Sequence, residues 1–181
     1  MTLTEEQRFF LSILRETGFI RGNQVLPLLK LYAPKKTAEQ AEGLLRRLAY
    51  LGRLVRLSGG MVALPELRER SPDAERLLAL DIMLALAPAR VLQVSAPKPY
   101  ALCFVLERQD GWLDHFAVMS IPVGHEARIS QLLEAEPRNY VFLLALKRME
   151  QYREVRLTRR HYFVLQHNSQ LRFYKGGEAG Q

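Results

Sequence analysis

Cysteine is nearly absent from this chain of 181 residues: Cys103 stands alone. An internal disulfide is therefore excluded, and so is any cysteine-based metal cage. Cys103 lies in the apolar run 101–106, a setting for a small buried hydrophobe rather than for a reactive thiolate. Long hydrophobic runs are missing too, and none approaches the ~18 residues that a membrane span requires. The opening MTLTEEQRFF has acids where a secretory signal has basic residues. The expectation is a cytoplasmic protein. Histidine is sparse, and His115, His125, His161 and His167 show neither i, i+4 pairing nor a cysteine neighbour, so no metal site is expected. There is no GxGxxG, Walker A or GxSxG sequence. Gly59-Gly60 is followed by a strand-like run, whereas a phosphate-cradling loop opens a helix. No cofactor is expected.

What is present is ordinary globular material, 48% hydrophobic and 25% charged, with a net charge of +7. Residues 1–66 hold 10 Lys/Arg against 6 acids, and residues 67–181 hold 16 against 13. More than half of the excess thus falls in the first third, which permits phosphate neutralisation there.

The stretch 34–65 is the most informative. Thr37-x-x-Gln40 ahead of an apolar periodic run is a capping box. Ala41, Leu44, Leu45, Leu48 and Leu51 follow at helical spacing, and Gly52 stops the helix. Runs 54–57 and 61–64 read as short strands joined by Ser58-Gly59-Gly60. Upstream, Thr4 caps a first helix that carries Phe9, Phe10, Ile13 and Leu14 and ends at Gly18. Phe19-Ile20 reads as a buried connector. A second helix is expected over 23–32, with Pro27 in its first turn. Three helices and a hairpin give a winged helix-turn-helix domain over residues 1–66.

After a charged connector, Ser71-Pro72 reads as N-cap and N1 of a helix over 72–87, apolar on more than one face and therefore expected to be deeply buried or packed between two domains or two subunits. Strands are expected over 90–94, 100–106 and 112–121, a helix over 126–135, a buried strand over 140–146, and a short polar helix over 147–156. A hairpin (161–165 and 171–174) turns around His167-Asn168-Ser169-Gln170, and 176–181 is a frayed tail. The fold class is mixed α+β, with a second domain over 72–175.

The candidate functional residues cluster on the third helix and hairpin. With the leucines inward, Lys36, Gln40, Gly43, Arg46 and Arg47 fall outward, next to Lys35 and Thr37, with Arg53 and Arg56 on the hairpin. Gln reads adenine edges, Arg reads guanine edges and Lys meets phosphates, so double-stranded DNA is the expected partner. Gly43 costs ~1 kcal/mol in a helix relative to Ala, a cost that a close approach by a partner would explain. Glu39 and Glu42 on the same helix argue instead for a winged helix used in protein contact. Glu107, Asp110, Asp114 and Glu126 are the acids in or near strands. No Glu-x-Lys follows at the spacing of a metal-dependent nuclease, so no catalytic residue is assigned and an enzyme is not expected; a divergent nuclease is the remaining alternative.

The opening LTEEQ, the stretch LLRRLAYLGRLVRL and the hairpin ahead of a strand-rich region resemble the replication-relaxation and MobC-like proteins of conjugative plasmids and integrative elements. The resemblance implies a bacterial mobile-element protein acting in replication, mobilisation or their regulation. It also implies a restriction-endonuclease-like second domain of order α-β-β-β-α-β. That family carries an acidic pair near the end of the third strand. Here Met119-Ser120-Ile121-Pro122-Val123-Gly124-His125-Glu126 stands in its place, which implies a non-catalytic domain used for dimerisation or for contact with a partner in a mobilisation or replication complex.

Overall fold

The computed structural model describes residues 2–86, 90–168 and 170–176. Thr4 caps α1 (Glu5–Thr17) through a reciprocal box with Gln7, and the helix ends where Gly18 takes a positive φ of 77°. Helices α2 (Gly22–Tyr32) and α3 (Ala38–Tyr50) follow. Pro27 lies in the second turn of α2, not the first, because the helix begins at Gly22. The carbonyl that it leaves without a helical donor belongs to the exposed Asn23 and is within reach of water.

The hairpin consists of β2 (Val55–Arg56) and β3 (Val62–Ala63). Phe19-Ile20 is not merely a connector. It forms strand β1, which pairs with β3, so a three-stranded antiparallel sheet of order β1-β3-β2 results. Two residues that alternate with nothing give no strand periodicity, which is why the sequence conceals it.

Asp73, rather than Ser71, caps α4 (Ala74–Leu86): its Oδ1 accepts from Glu75 N at 2.9 Å and Arg76 N at 3.2 Å. Ser71 and Pro72 stand outside the helix, and Ala87 lies outside the described residues. Helix α4 then leads to β4 (Arg90–Ser95), β5 (Leu102–Glu107), β6 (Leu113–Ile121), α5 (Glu126–Glu134), β7 (Val141–Leu146), β8 (His161–His167) and β9 (Gln170–Lys175). These strands make one mixed sheet in chain order β4-β5-β6-β7-β8-β9, parallel only at β6–β7 and β7–β8. All six residues of β7 are buried, as its interior position, with three strands on one side and two on the other, requires. Strands β8 and β9 meet at His167↔Gln170, and Asn168 takes a φ of 46°, which Asn tolerates; Ser169 lies outside the described residues. Of the expected tail, only Gly176 is described. The chain is thus α+β, with five helices and two sheets among the described residues.

Strand alternation divides the core in two. Leu102, Phe104, Leu106, Phe116, Val118, Val141, Leu143 and Ala145 face α4 and join one apolar cluster with α1, α2 and α3. Cys103, Ala117, Met119, Ile121, Phe142, Leu144 and Leu146 face the other way, onto Leu133 of α5 and onto Val155 and Leu157. The N-terminal helices and the large sheet therefore share a core across α4. Polar bonds reinforce the seam: Arg21 Nη1 meets Asp81 Oδ2 at 2.6 Å, and Gln24 Nε2 donates to Asp81 Oδ1 at 2.6 Å and to Leu77 O at 2.9 Å.

The expected polar helix over 147–156 is a 3₁₀ turn, Met149–Arg153, followed by extended chain. Gln151 shortens it. Its Oε1 accepts from Lys147 N (2.9 Å) and Arg148 N (3.0 Å), while its Nε2 donates to Ile121 O and Glu126 Oε1 (both 2.9 Å). The Gln151 amide and the N–H of Glu126 itself hold the Glu126 carboxyl below its ordinary pKa, with the main-chain donor the larger cause. Removing Gln151 would strand several buried polar groups, so Gln151→Ala is expected to cost about 2–4 kcal/mol in urea unfolding. A loss under ~1 kcal/mol would show that water replaces the amide.

A second polar cluster closes the sheet near the start of β7. Arg138 Nε reaches Glu136 Oε1 at 2.7 Å, and Tyr100 Oη donates to Glu136 Oε2 at 2.6 Å. These bonds, Arg138 first, lower the Glu136 pKa to about 2. A depressed carboxyl pKa adds stability above the ordinary value of 4.5, and that stability is lost as pH falls towards 2. Unfolding free energy measured from pH 5 to pH 2 should fall less steeply in Glu136→Gln than in the natural chain. Identical pH profiles would refute the assignment.

Candidate nucleic-acid interface

Thr37 and Gln40 close the capping box expected at the start of α3: Thr37 Oγ1 accepts from Gln40 N at 3.3 Å, and Gln40 Oε1 accepts from Thr37 N at 3.1 Å. At the other end, Gly52 N donates to Ala49 O and Arg53 N to Leu48 O, both at 2.9 Å, with Gly52 at a φ of 63°. This is a Schellman ending, and it turns the chain directly into the hairpin. Ala41, Leu44, Leu45 and Leu48 are buried. The helix is therefore fixed at both ends and along one side, and its opposite side presents Glu39, Gly43, Arg46 and Tyr50, flanked by Gln40 and Arg47. Tyr50 is 90% exposed, and reasoning from the sequence passed it over. Its spacing of three and four residues from Arg47 and Arg46 was the available signal.

The hairpin is seated by close packing. A Cβ on Gly22 would lie 2.8 Å from the carbonyl oxygen of Gly60, so only glycine at 22 lets the turn rest on the start of α2. Gly43 is the opposite case, since a Cβ there would meet nothing within 4 Å. Nothing inside the described residues requires glycine at that point of α3.

The eight expected contact residues divide into three groups. Lys35, Arg47 and Arg53 are exposed and have no carboxylate within 4.0 Å among the described residues. Arg46 and Arg56 share one acid: Arg56 grips Glu42 through Nη1 at 2.5 Å and Nη2 at 3.2 Å, while Arg46 Nε stands 3.8 Å from Glu42 Oε1. Glu42 thus braces the helix against the hairpin and neutralises part of the charge. Arg46 nevertheless keeps a side chain 67% exposed. Lys36, Thr37 and Gln40 serve the fold. Lys36 Nζ lies 2.6 and 2.7 Å from the two oxygens of Glu6, its side chain is only 14% exposed, and it ties the approach to α3 onto α1. Gln40 keeps its Nε2 free of the cap.

The strand acids have partners. Glu107 meets Arg90 at 3.5 Å, Asp110 meets Arg108 at 3.3 Å, and Asp114 lies between Arg108 (4.0 Å) and Arg160 (3.7 Å). Met119 and Ile121 at the end of β6 are buried, and no group of three His, Cys, Asp or Glu that could hold a metal occurs among the described residues. Burial pushes the Cys103 thiol up to about 11, so the thiolate is scarce at neutral pH.

Filling Gly43 with a methyl group tests whether that glycine is structural. Gly43→Ala is expected to raise the unfolding free energy by about 0.5–1 kcal/mol through helix propensity alone. A loss of stability in urea titration would mean that position 43 is packed.

Compared with models of protein families, with curated proteins and with solved structures, the chain matches none.

Proposed function

We propose that residues 1–66 are a winged helix-turn-helix that binds duplex DNA, with α3 as the reading helix and the β2–β3 hairpin as the wing. Three features support the fold reading: the order of the elements, the abrupt turn from α3 into the hairpin, and the third strand supplied by β1. The observation that carries the DNA reading is the outer side of α3 and its flanks, where Lys35, Arg46, Arg47 and Arg53 stand exposed around a glycine with open space before it. An exposed arginine has five N–H donors in a planar group, two of which can pair side by side with phosphate or guanine. Gly43 would let a sugar-phosphate backbone approach the helix more closely than any other residue allows.

Residues 72–175 have the order α-β-β-β-α-β followed by two further strands, which fits the restriction-endonuclease-like reading. The pairing of Glu107, Asp110 and Asp114 with arginines favours a domain for contact or dimerisation over one that hydrolyses phosphodiesters. The resemblance supplies the setting: the bacterial cytoplasm and a mobile element, acting in replication, mobilisation or their regulation. A second reading, protein contact through the same helix, draws on the bare Tyr50 ring and on Glu42, which holds two of the arginines.

Titration of a labelled random duplex at two salt concentrations separates the readings. Phosphate-driven binding weakens steeply with salt, by about 0.9 in log–log slope per phosphate contact. The variant Arg46→Gln/Arg47→Gln/Arg53→Gln should lose about 2.7 of that slope. Absence of duplex binding at low salt would sink the DNA reading and leave the protein-contact reading standing.

A further inference from the structure

The strongest concentration of charge is not on α3. Residues 147–160 hold six basic residues (Lys147, Arg148, Arg153, Arg156, Arg159, Arg160) against Glu150 and Glu154, a net of +4 out of the chain's +7. The rest of 67–181 is −1 by the same count, from 10 basic residues and 11 acids.

Two of the six are committed to the fold. Arg159 donates to the carbonyls of Leu133, Glu136 and Arg138, and its guanidinium lies 5.1 Å above the Phe142 ring. Arg160 stands 3.7 Å from Asp114. The other four are exposed, and none has a carboxylate within 4.0 Å among the described residues, although Glu150 and Glu154 lie in the same segment. The backbone holds these four in place. Gln151 gathers Lys147 N and Arg148 N onto one oxygen, which closes a compact turn. Beyond it, Val155 and Leu157 are buried against the sheet, so alternation in this extended stretch turns Arg156 outward. Arg156 N bonds Ser130 Oγ at 3.0 Å, which anchors the strand along α5. Arg153 lies over Tyr152, 5.7 Å from the ring centre, and its Nε donates to the Tyr152 hydroxyl at 3.3 Å.

Four exposed cations in ten residues, none closed into an ion pair by Glu150 or Glu154, add no charge contact that stabilises the fold. We propose that Lys147, Arg148, Arg153 and Arg156 form a second phosphate-contacting surface, which takes the backbone of duplex nucleic acid. Its Arg156 end is tied to α5 through Ser130, whereas α3 packs in the layer that holds α4. The shape of the segment disfavours a lipid surface. A membrane-lying segment needs an extended amphipathic helix with an apolar side, whereas here a five-residue 3₁₀ turn exposes Met149 and Tyr152, and the remaining apolar side chains point into the core. The inference does not depend on α3 being a DNA reader.

The test is fluorescence anisotropy of a labelled random duplex against the full chain over a range of salt. The variant Arg148→Gln/Arg153→Gln/Arg156→Gln is compared with the natural chain and with Arg46→Gln/Arg47→Gln/Arg53→Gln. Three lost phosphate contacts should flatten the salt slope by about 2.7. If thermal unfolding shows that the triple variant is destabilised, Arg156→Gln alone should flatten it by about 0.9. A slope and affinity equal to those of the natural chain would overturn the proposal, and so would a natural chain that binds no duplex. Vesicles of phosphatidylserine and phosphatidylcholine form the third arm: loss of vesicle binding in the segment variant with duplex binding intact would reassign the surface to lipid and overturn the proposal. Loss of slope in the segment variant but not in the α3 variant would uphold this surface while removing the reading of α3.

Discussion

Helix α4 packs on two sides at once, leaving only the side of Ala74, Leu78, Asp81 and Ala85 partly open to water, and the rest of the molecule is arranged around that fact. Leu77, Ala79, Leu80, Ile82 and Met83 are all buried. A helix so apolar needs cover on more than one side. The large sheet provides one cover and the N-terminal helices the other, so the two halves of the chain are fused through a single apolar cluster. The polar seam of Arg21, Gln24 and Asp81 fixes how they meet, because the buried Gln24 amide and the half-buried Asp81 carboxylate tolerate few arrangements that satisfy them both. Helix α3 is left at the periphery of this assembly, attached by one side and two caps, with its other side clear.

Charge follows the same division between fold and surface. Several basic residues are spent on construction: Lys36 on Glu6, Arg56 on Glu42, Arg138 on Glu136, Arg159 on three carbonyls. Among those left exposed, Lys35, Arg46, Arg47 and Arg53 flank or lie on α3, and Lys147, Arg148, Arg153 and Arg156 lie within ten residues of one another. In neither place is the charge explained by the internal needs of the fold. Net charge taken over the whole chain hides this, since the +3 of residues 67–181 comes entirely from residues 147–160, at +4, with the remainder at −1.

Much of the architecture was legible in the residue order. The capping box of Thr37 and Gln40, the stop at Gly52, the hairpin turn and the buried run of β7 follow from local rules, and each stands within a residue or two of its expected place. Where expectation failed, a distant partner had intervened. Phe19-Ile20 became a strand because β3 lay open for pairing, and the polar helix over 147–156 shrank to a 3₁₀ turn because Gln151 found Ile121 and Glu126. Asp73 displaced Ser71 as the cap of α4 because its carboxylate reached two backbone donors.

The candidate site shows the same boundary. Sequence periodicity by itself determined which side of α3 faces out, because helical spacing and the position of the leucines fix it. It could not determine which cations remain free there. Lys35 and Lys36 are adjacent and chemically identical, yet one is exposed and the other is turned onto Glu6, 30 residues away in the chain. Arg53 and Arg56 part in the same manner, over Glu42. Ion pairing depends on distances of a few ångströms between remote residues, and only the folded chain sets those distances.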